Sequence, residues 1–291
     1  MDVAVKNKKL ENGFSLPELW IWTWPMWGYR EKDINNDNKR DIEAIKYAIK
    51  SWITHIDTAE LYANWYSEKL LSKAIKDFDR KKLIIASKVK WSNASKKAII
   101  EACKNSLKRI GTKYLDLYYI HWRDKKFDLK ESMQAMEELK EEGLIKNIAV
   151  SNFSTSSLKE AQKYCKYKIV ANQVHYNLIY REPEKDWLLE YCQKNDIFLV
   201  AWRPLELWKL ANTWNHLLLD MVKKYNKTNE AVVINWLISQ KNVITLFKSS
   251  NKNHIDKNLL WIWWKIKEED IENIRKNYKW QIFISDAVPL W

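Results

Sequence analysis
Short β-branched runs alternate with amphipathic stretches along almost the whole chain, and this alternation is the strongest limit on what the chain can fold into. The runs are Leu19–Trp22, Thr54–Asp57, Leu83–Val89, Leu115–His121, Ile145–Ser151, Val170–Val174, Ile197–Trp202 and Val243–Lys248. Each has the length and composition of a buried strand. Between them lie helical patterns: Arg40–Lys50, Ser67–Phe78, Lys96–Ile110, Leu129–Glu142, Ser156–Tyr164 and Asp186–Asn195, with an added helix at Asn229–Ser239 before the last strand. Repeated strand–helix units predict a parallel sheet. Eight of them close most economically into a (β/α)8 TIM barrel, an α/β fold whose active site is built at the C-terminal ends of the strands.

The length of 291 residues suits one such barrel domain spanning 1–291, and no Pro/Ser-rich linker divides it. The start, Met1 to Leu10, carries lysines but no apolar leader core, and no stretch approaches the roughly 18 uninterrupted apolar residues of a membrane span. We therefore expect a soluble, cytoplasmic protein with no membrane partner, working as a monomer. Cys103, Cys165 and Cys192 are odd in number and widely spaced, which fits neither a disulfide framework nor a metal site. The net charge of +13 is carried by lysines scattered among Asn, Glu and Asp, so a solvated surface is favoured over a nucleic-acid partner.

One compositional feature bears directly on the backbone. The chain holds 18 Trp and only 4 Gly, whereas globular proteins average about 7% Gly. Pooled, the two counts would be an ordinary glycine content. Trp52, in Lys50-Ser51-Trp52-Ile53-Thr54, falls where a helix should end in a left-handed residue, a place normally taken by Gly because it has no Cβ. The expectation is a gene in which UGA means glycine, an alternative genetic code, translated here with Trp. A truly Trp-rich protein is the other reading, and detection of Trp at position 52 or 208 in the native protein would establish it.

The polar residues at the predicted strand ends form an ordered set: Asp57 on the second strand, Lys88 on the third, His121 on the fourth, Ser151 and Asn152 on the fifth, Gln173 on the sixth, Lys248 and Ser249 on the eighth. A buried, satisfied histidine would be the default reading of His121 alone. The whole set reads as a site. Tyr62 follows Asp57 by five residues, so the intervening loop can carry its phenol over the barrel mouth. A free phenol has a pKa near 10, and the expectation is that the Lys88 cation lowers it. A buried lysine needs a partner to stay charged, and Asp57 is the obvious one. His121 can donate to, or orient, an oxygen at the same point. These are the parts of a proton-donating site beside a carbonyl.

With those residues in place, the chain resembles an aldo-keto reductase from about Lys9 to about Tyr278. Ile56-Asp57-Thr58-Ala59-Glu60-Leu61-Tyr62 matches the most specific motif, Ser87-Lys88-Val89 the lysine motif, and Asp116-Leu117-Tyr118-Tyr119-Ile120-His121-Trp122 the histidine motif. Val150-Ser151-Asn152-Phe153 and Asn172-Gln173 follow in order, and Leu19-Trp20-Ile21-Trp22-Thr23-Trp24 is similar to the first-strand segment with two glycines written as Trp. The resemblance implies a catalytic tetrad of Asp57, Tyr62, Lys88 and His121, with Tyr62 as general acid in reducing a small-molecule aldehyde or ketone. It implies that Ser151, Asn152 and Gln173 bond the nicotinamide carboxamide and that Trp202 stacks on its ring. It places Trp22, Thr23, Asp57, Arg203, Leu205, Lys248, Ser249, Ser250, His254 and Asn258 along the remaining cofactor. Substrate would meet Trp24, Tyr62, His121 and Trp122. The alternative it leaves open is a channel β-subunit-like or other regulatory protein that holds the nucleotide with little turnover.

Lys248 and Ser249 suit a 2′-phosphate, which favours NADPH over NADH as cofactor. Two departures count against a firm choice: His254 stands where the family usually has Arg, and an ordinary imidazole is mostly neutral near pH 7, while Lys257 replaces a common acidic residue. No G-x-G-x-x-G occurs, even with every Trp reread as Gly, so a Rossmann turn is excluded. The family residues raise a steric question at Trp20, Trp22, Trp65 and Trp208, which lie near the expected cofactor path, where an indole would block the site or overpack the barrel. Trp24, Trp122, Trp202, Trp236 and Trp264 sit where a real Trp is plausible. No metal is expected. The short segments after His121 and after the last helix suggest an open pocket of broad specificity.

Overall fold
A computed structural model describes residues 5–291; Met1–Ala4, part of the start read above as leaderless, lie outside them. Eight parallel strands form a closed barrel: β1 (Leu19–Trp22), β2 (His55–Asp57), β3 (Ile84–Val89), β4 (Leu115–Ile120), β5 (Ile145–Ser151), β6 (Ile169–His175), β7 (Phe198–Trp202) and β8 (Val243–Phe247). Each pairs with its neighbours in chain order. β8 closes the ring, pairing Thr245 with Leu19 of β1 and Val243 with Leu199 of β7.

Side chains alternate across each strand, and the two sets of apolar residues they define make two cores. Trp20, Ala86, Leu117, Tyr119, Ala149, Ala171, Phe198, Val200, Ile244 and Leu246 fill the barrel interior. Ile21, Ile56, Ile85, Tyr118, Ile148 and Leu199 point outward to the helices. Because both faces are covered, the strands read as nearly continuous apolar runs. An antiparallel hairpin, Asn7–Lys9 with Ser15–Pro17, was not anticipated. Its Leu10 and Leu16 join the interior core and Phe14 packs edge-on at 6.1 Å from Phe198, the first residue of β7. It therefore plugs the end where strands begin and leaves the other end open.

The helices follow local signals. Asp37, Ser95, Ser154 and Thr228 each accept a backbone N–H at a helix start. Lys96–Ile110 ends on Gly111 at φ +75°, and Asn38–Lys50 is followed by Ser51 and then Trp52 at φ +70°. The helix expected over Asp186–Asn195 runs from Leu188 to Lys194; Trp187 before it takes φ +60°, which a right-handed helix cannot contain, and separates it from a short unanticipated helix, Glu182–Lys185. Helices His216–Tyr225, Lys252–Leu260 and Glu268–Asn277 complete the ring.

Candidate active site
The open end of the barrel gathers polar side chains that the chain supplies one strand at a time. Asp57 is the last residue of β2, Lys88 lies one residue from the end of β3, and His121 follows β4. The fully buried Lys88 ammonium donates to Asp57 Oδ2 at 2.5 Å, to the Thr58 carbonyl at 3.0 Å and to Tyr62 Oη at 3.1 Å. All three of its protons are thereby used. The His121 ring meets the Tyr62 ring edge-on with centroids 5.8 Å apart. The phenol oxygen and the ammonium nitrogen thus share one site, and His121 lines the same cavity.

The electrostatics correct one expectation. Burial, and after it the Asp57 carboxylate, holds the Tyr62 phenol well above the ordinary tyrosine range, so the net shift is upward with Lys88 bonded to it. Lys88 is paired at short range with Asp57, whose carboxylate acts on the phenol in the opposite sense. Burial also pushes Asp57 up, against the pull of Lys88 and Gln173, and pushes Lys88 down, against Asp57. A buried pair of this kind persists because each ion is hydrogen-bonded; removing one partner would leave the other uncompensated. Burial, and then Lys88, keeps the His121 imidazole far below its usual pKa and so neutral.

A second set of residues continues the network across β5 to β7. Gln173 Nε2 donates to Asp57 Oδ1 at 3.2 Å, Ser151 Oγ donates to the Gln173 carbonyl at 2.8 Å, and Asn152 Nδ2 donates to the His121 carbonyl at 3.0 Å. Asn152 takes φ +60°, a left-handed conformation that Asn tolerates. Its Oδ1 accepts the indole N–H of Trp202 at 3.2 Å. Arg203 lies beside Trp202 and pairs with Asp286 at 3.2 Å.

Three cavities run in series from this network. The first, about 300 Å³, is lined by Trp24, Tyr62, His121, Trp122, Asn152 and Trp202 among others. The second, about 270 Å³, lies against Leu205, Lys248 and Asn258. The third, about 650 Å³, is bordered by Lys248, Ser249, Ser250 and His254. A long ligand with an aromatic ring at one end and phosphate at the other fits this succession of polar network, apolar passage and basic mouth. Two indoles interrupt it. Trp22 lines both the first and second cavities, and Trp208 lines both the second and third. Trp22 also donates its indole N–H to Tyr62 Oη at 3.0 Å, and Trp208 takes φ +74°. Farther down the barrel, fully buried Trp20 stacks on His55 at 3.4 Å, and both His55 nitrogens lack a partner among the described residues.

Three expected site residues stay off the cavity linings: Asp57 and Lys88, buried beneath Tyr62, and Thr23, whose hydroxyl bonds the Asp57 carbonyl at 3.1 Å and ties β1 to β2. Arg30, Ala287 and Val288 line the first cavity and were not anticipated. Arg30 comes from the loop after β1. Ala287 and Val288 come from the tail after the last helix, which crosses the mouth despite its shortness, so the pocket is less open than the sequence suggested. No periodic signal marks either segment.

Comparison with known proteins agrees with this geometry. A sequence model of the Aldo/keto reductase family matches residues 26–279. The chain is 33% identical to the glyoxal reductase of Bacillus subtilis over 277 residues, covering 94% of each protein. Among solved structures, a thermostable aldo-keto reductase in complex with the inhibitor epalrestat superposes with a TM-score of 0.89 at 37% identity, over 92% of this chain and 98% of that one. An aldo-keto reductase from Klebsiella pneumoniae in complex with NADPH gives 0.80 at 27% identity, over 95% and 96%. A closed eight-stranded barrel with a Tyr–Lys–Asp–His constellation at its open end defines a carbonyl-reducing class of oxidoreductase. The chain belongs to the aldo/keto reductase family.

Proposed function
We propose that the protein reduces small aldehydes or ketones to alcohols with NADPH, and that Tyr62 delivers the proton. The observation that carries this reading is the bonding at Tyr62 Oη. The phenol oxygen accepts from Lys88 and from Trp22, so its own proton is free to go to a substrate oxygen in the first cavity. A phenol pushed up by burial stays protonated at neutral pH and is available as an acid. Neutral His121 holds the same substrate oxygen through a ring N–H and so stabilises the charge that develops on it. Asp57 and Lys88 fix the phenol's position.

NADPH, when bound, supplies the hydride to the carbonyl carbon. Ser151, Asn152 and Gln173 would hold its carboxamide, Trp202 its ring, Arg203 and Leu205 its middle section, and Lys248, Ser249, Ser250, His254 and Asn258 the adenine end. Trp24 and Trp122 would wall the substrate; Trp122 stacks on Trp91 at 3.9 Å and so presents a fixed face. The low-turnover alternative is not favoured, since a nucleotide holder needs no proton donor beside its ring. The protein would act as a single-domain cytoplasmic monomer, for which light scattering should return about 35 kDa. Among the described residues no helix is long and apolar enough to cross a membrane.

The same reading extends to the tryptophans. Trp52, Trp65, Trp187 and Trp208 all take φ between +60° and +74°, and each leaves its indole 43–69% exposed. Trp20 and Trp22 crowd the barrel and the channel. We infer that these six are glycines in the protein the cell makes, specified by UGA. Mass spectrometry of the native protein tests the point, and a Trp at position 52 or 208 would refute it. The catalytic reading is tested by the loss of NADPH absorbance with a generic aldehyde; a wild-type chain with glycine at the six positions that consumes no NADPH would end it.

A further inference from the structure
The end of β6 carries a buried cluster with no part in the proton transfer above. His175 Nδ1 lies 2.6 Å from Ser285 Oγ, and its Nε2 lies 2.7 Å from Glu206 Oε2. Ser285 Oγ already accepts the backbone N–H groups of Ala287 and Val288, each at 3.2 Å. Its hydroxyl proton therefore donates to His175 Nδ1, which leaves the Nε2 proton to donate to Glu206. Burial keeps the His175 imidazole below its usual pKa, as an accepting Nδ1 requires. Glu206 stays below the usual carboxylate range despite its burial, because His175 and Asn177 donate to it. Hydroxyl, imidazole and carboxylate stand in the order of a hydrolytic triad, but Ser285 is turned into its own loop and lies outside the cavity lining.

What the cluster touches gives it a different role. The His175 ring stacks on Trp202, with centroids 4.3 Å apart and planes at 17°. Ser285 opens the tail segment that arches over the first cavity through Ala287 and Val288. The far end of that arch is pinned to the same platform: the Trp291 N–H donates to the Asn152 carbonyl at 3.0 Å, and Asn152 Oδ1 holds the Trp202 indole. Glu182 accepts the N–H groups of Ser285 and Leu290 at 3.3 and 3.1 Å.

We propose that Ser285, His175 and Glu206 form a clasp that fastens residues 285–291 across the substrate cavity and ties that strap to the Trp202 platform, so that these three positioning residues set the size of carbonyl compound the pocket accepts. The proposal rests on the reading of the first cavity as the carbonyl site. Without the clasp the strap lifts, small substrates lose their enclosing wall, and bulky ones gain room. The effect falls on KM, because the proton donor has no bond to the strap and keeps its bond to Lys88.

Hydrogen exchange on the full chain tests the clasp without turnover. In Ser285→Ala and in His175→Leu, the Ala287, Val288 and Trp291 amides should exchange about tenfold faster or more, as expected for a locally opened segment; Ser285→Thr should keep the parent rates. His175→Leu is decisive because it leaves the Ser285 turn intact, and unchanged exchange there would overturn the proposal. If that variant does not fold, Ser285→Ala serves, read at Trp291 alone, whose N–H bonds Asn152 and not Ser285. Steady-state rates then read specificity: the ratio of kcat/KM for 2-naphthaldehyde over propanal should rise about tenfold through KM, with kcat for propanal within a factor of about two, as for lost uniform binding. A ratio equal to the parent's, or a fall confined to kcat, would defeat the specificity role. A parent chain inert toward every aldehyde would remove the catalytic reading while the exchange result still judged the clasp.

Discussion

Two parts of the barrel mouth are built from the same kind of strand ends and differ in what lies between them. Along β2 to β6, Asp57, Lys88, Ser151 and Gln173 are buried and linked by hydrogen bonds of 2.5–3.2 Å. Around β1, β7 and β8, the polar residues line separate cavities partitioned by Trp22 and Trp208. The first region needs particular side chains, and the chain has them. The second needs side chains to be absent, and indoles stand there. Chemistry and access are therefore separable in this molecule, and substitutions can address one without the other.

The largest separation should come from Tyr62→Phe. It removes the proton donor and leaves the cavity shape nearly unchanged, so kcat for aldehyde reduction should fall by about 10²–10⁴-fold while NADPH affinity, measured by fluorescence titration, stays within a factor of about two. Retained turnover would remove Tyr62 as the acid. The pH profile sharpens the same point. An acid must be protonated, and a phenol held above its ordinary pKa near 10 stays protonated throughout the neutral and mildly alkaline range. Reduction by the parent should thus show no descending limb from Tyr62 below about pH 9; a limb centred near pH 7 would mean that Lys88 governs the phenol after all.

Next in size is the effect of clearing the channel. Trp22→Gly with Trp208→Gly joins the three cavities, and relief of overpacking worth about 1–3 kcal/mol corresponds to roughly 5–150-fold tighter NADPH binding. Trp22→Gly also takes one hydrogen bond from Tyr62 Oη, leaving Lys88 to orient it. Isothermal titration of the double variant against the parent decides the matter. Equal affinities would show that the indoles stand clear of the cofactor, and the contrast drawn above would collapse.

The same division explains what could be read from the sequence. Eight strands were legible because both faces are apolar, and their polar ends were legible because the barrel register brings every C-terminal end to one rim. Asp57, Lys88, His121 and Gln173 could be placed from strand boundaries alone, to within a residue or two. Lys88's influence on Tyr62 could not, since the sign depends on how completely burial and Asp57 offset the cation. Residues delivered by loops and tail left no periodic trace: Arg30, Ala287 and Val288 reach the cavity through irregular backbone, and Ser285 meets His175 across 110 positions. Trp187 delaying the start of an expected helix to Leu188 is a local effect of backbone conformation, which side-chain periodicity does not register.

The smallest predicted effect isolates the backbone from the site altogether. Gly111 and Trp52 perform the same task at the ends of two barrel helices, at φ +75° and +70°. At Gly111 the conformation is nearly free; at Trp52 the Cβ meets the following carbonyl, at a cost of about 1–2 kcal/mol for an L-residue. The Trp52 indole is 49% exposed, so its packing offsets only part of that strain. Glycine in turn loses more chain entropy on folding, by about 0.5–1 kcal/mol. The balance for Trp52→Gly is a gain of up to about 1 kcal/mol, seen as a higher urea midpoint at unchanged slope, with kcat and KM as in the parent because position 52 lies far from the mouth in the chain's path, ahead of β2. A lower midpoint would mean that the indole's contacts outweigh the strain of its backbone, and the glycine assignment at the other left-handed tryptophans would lose its physical basis.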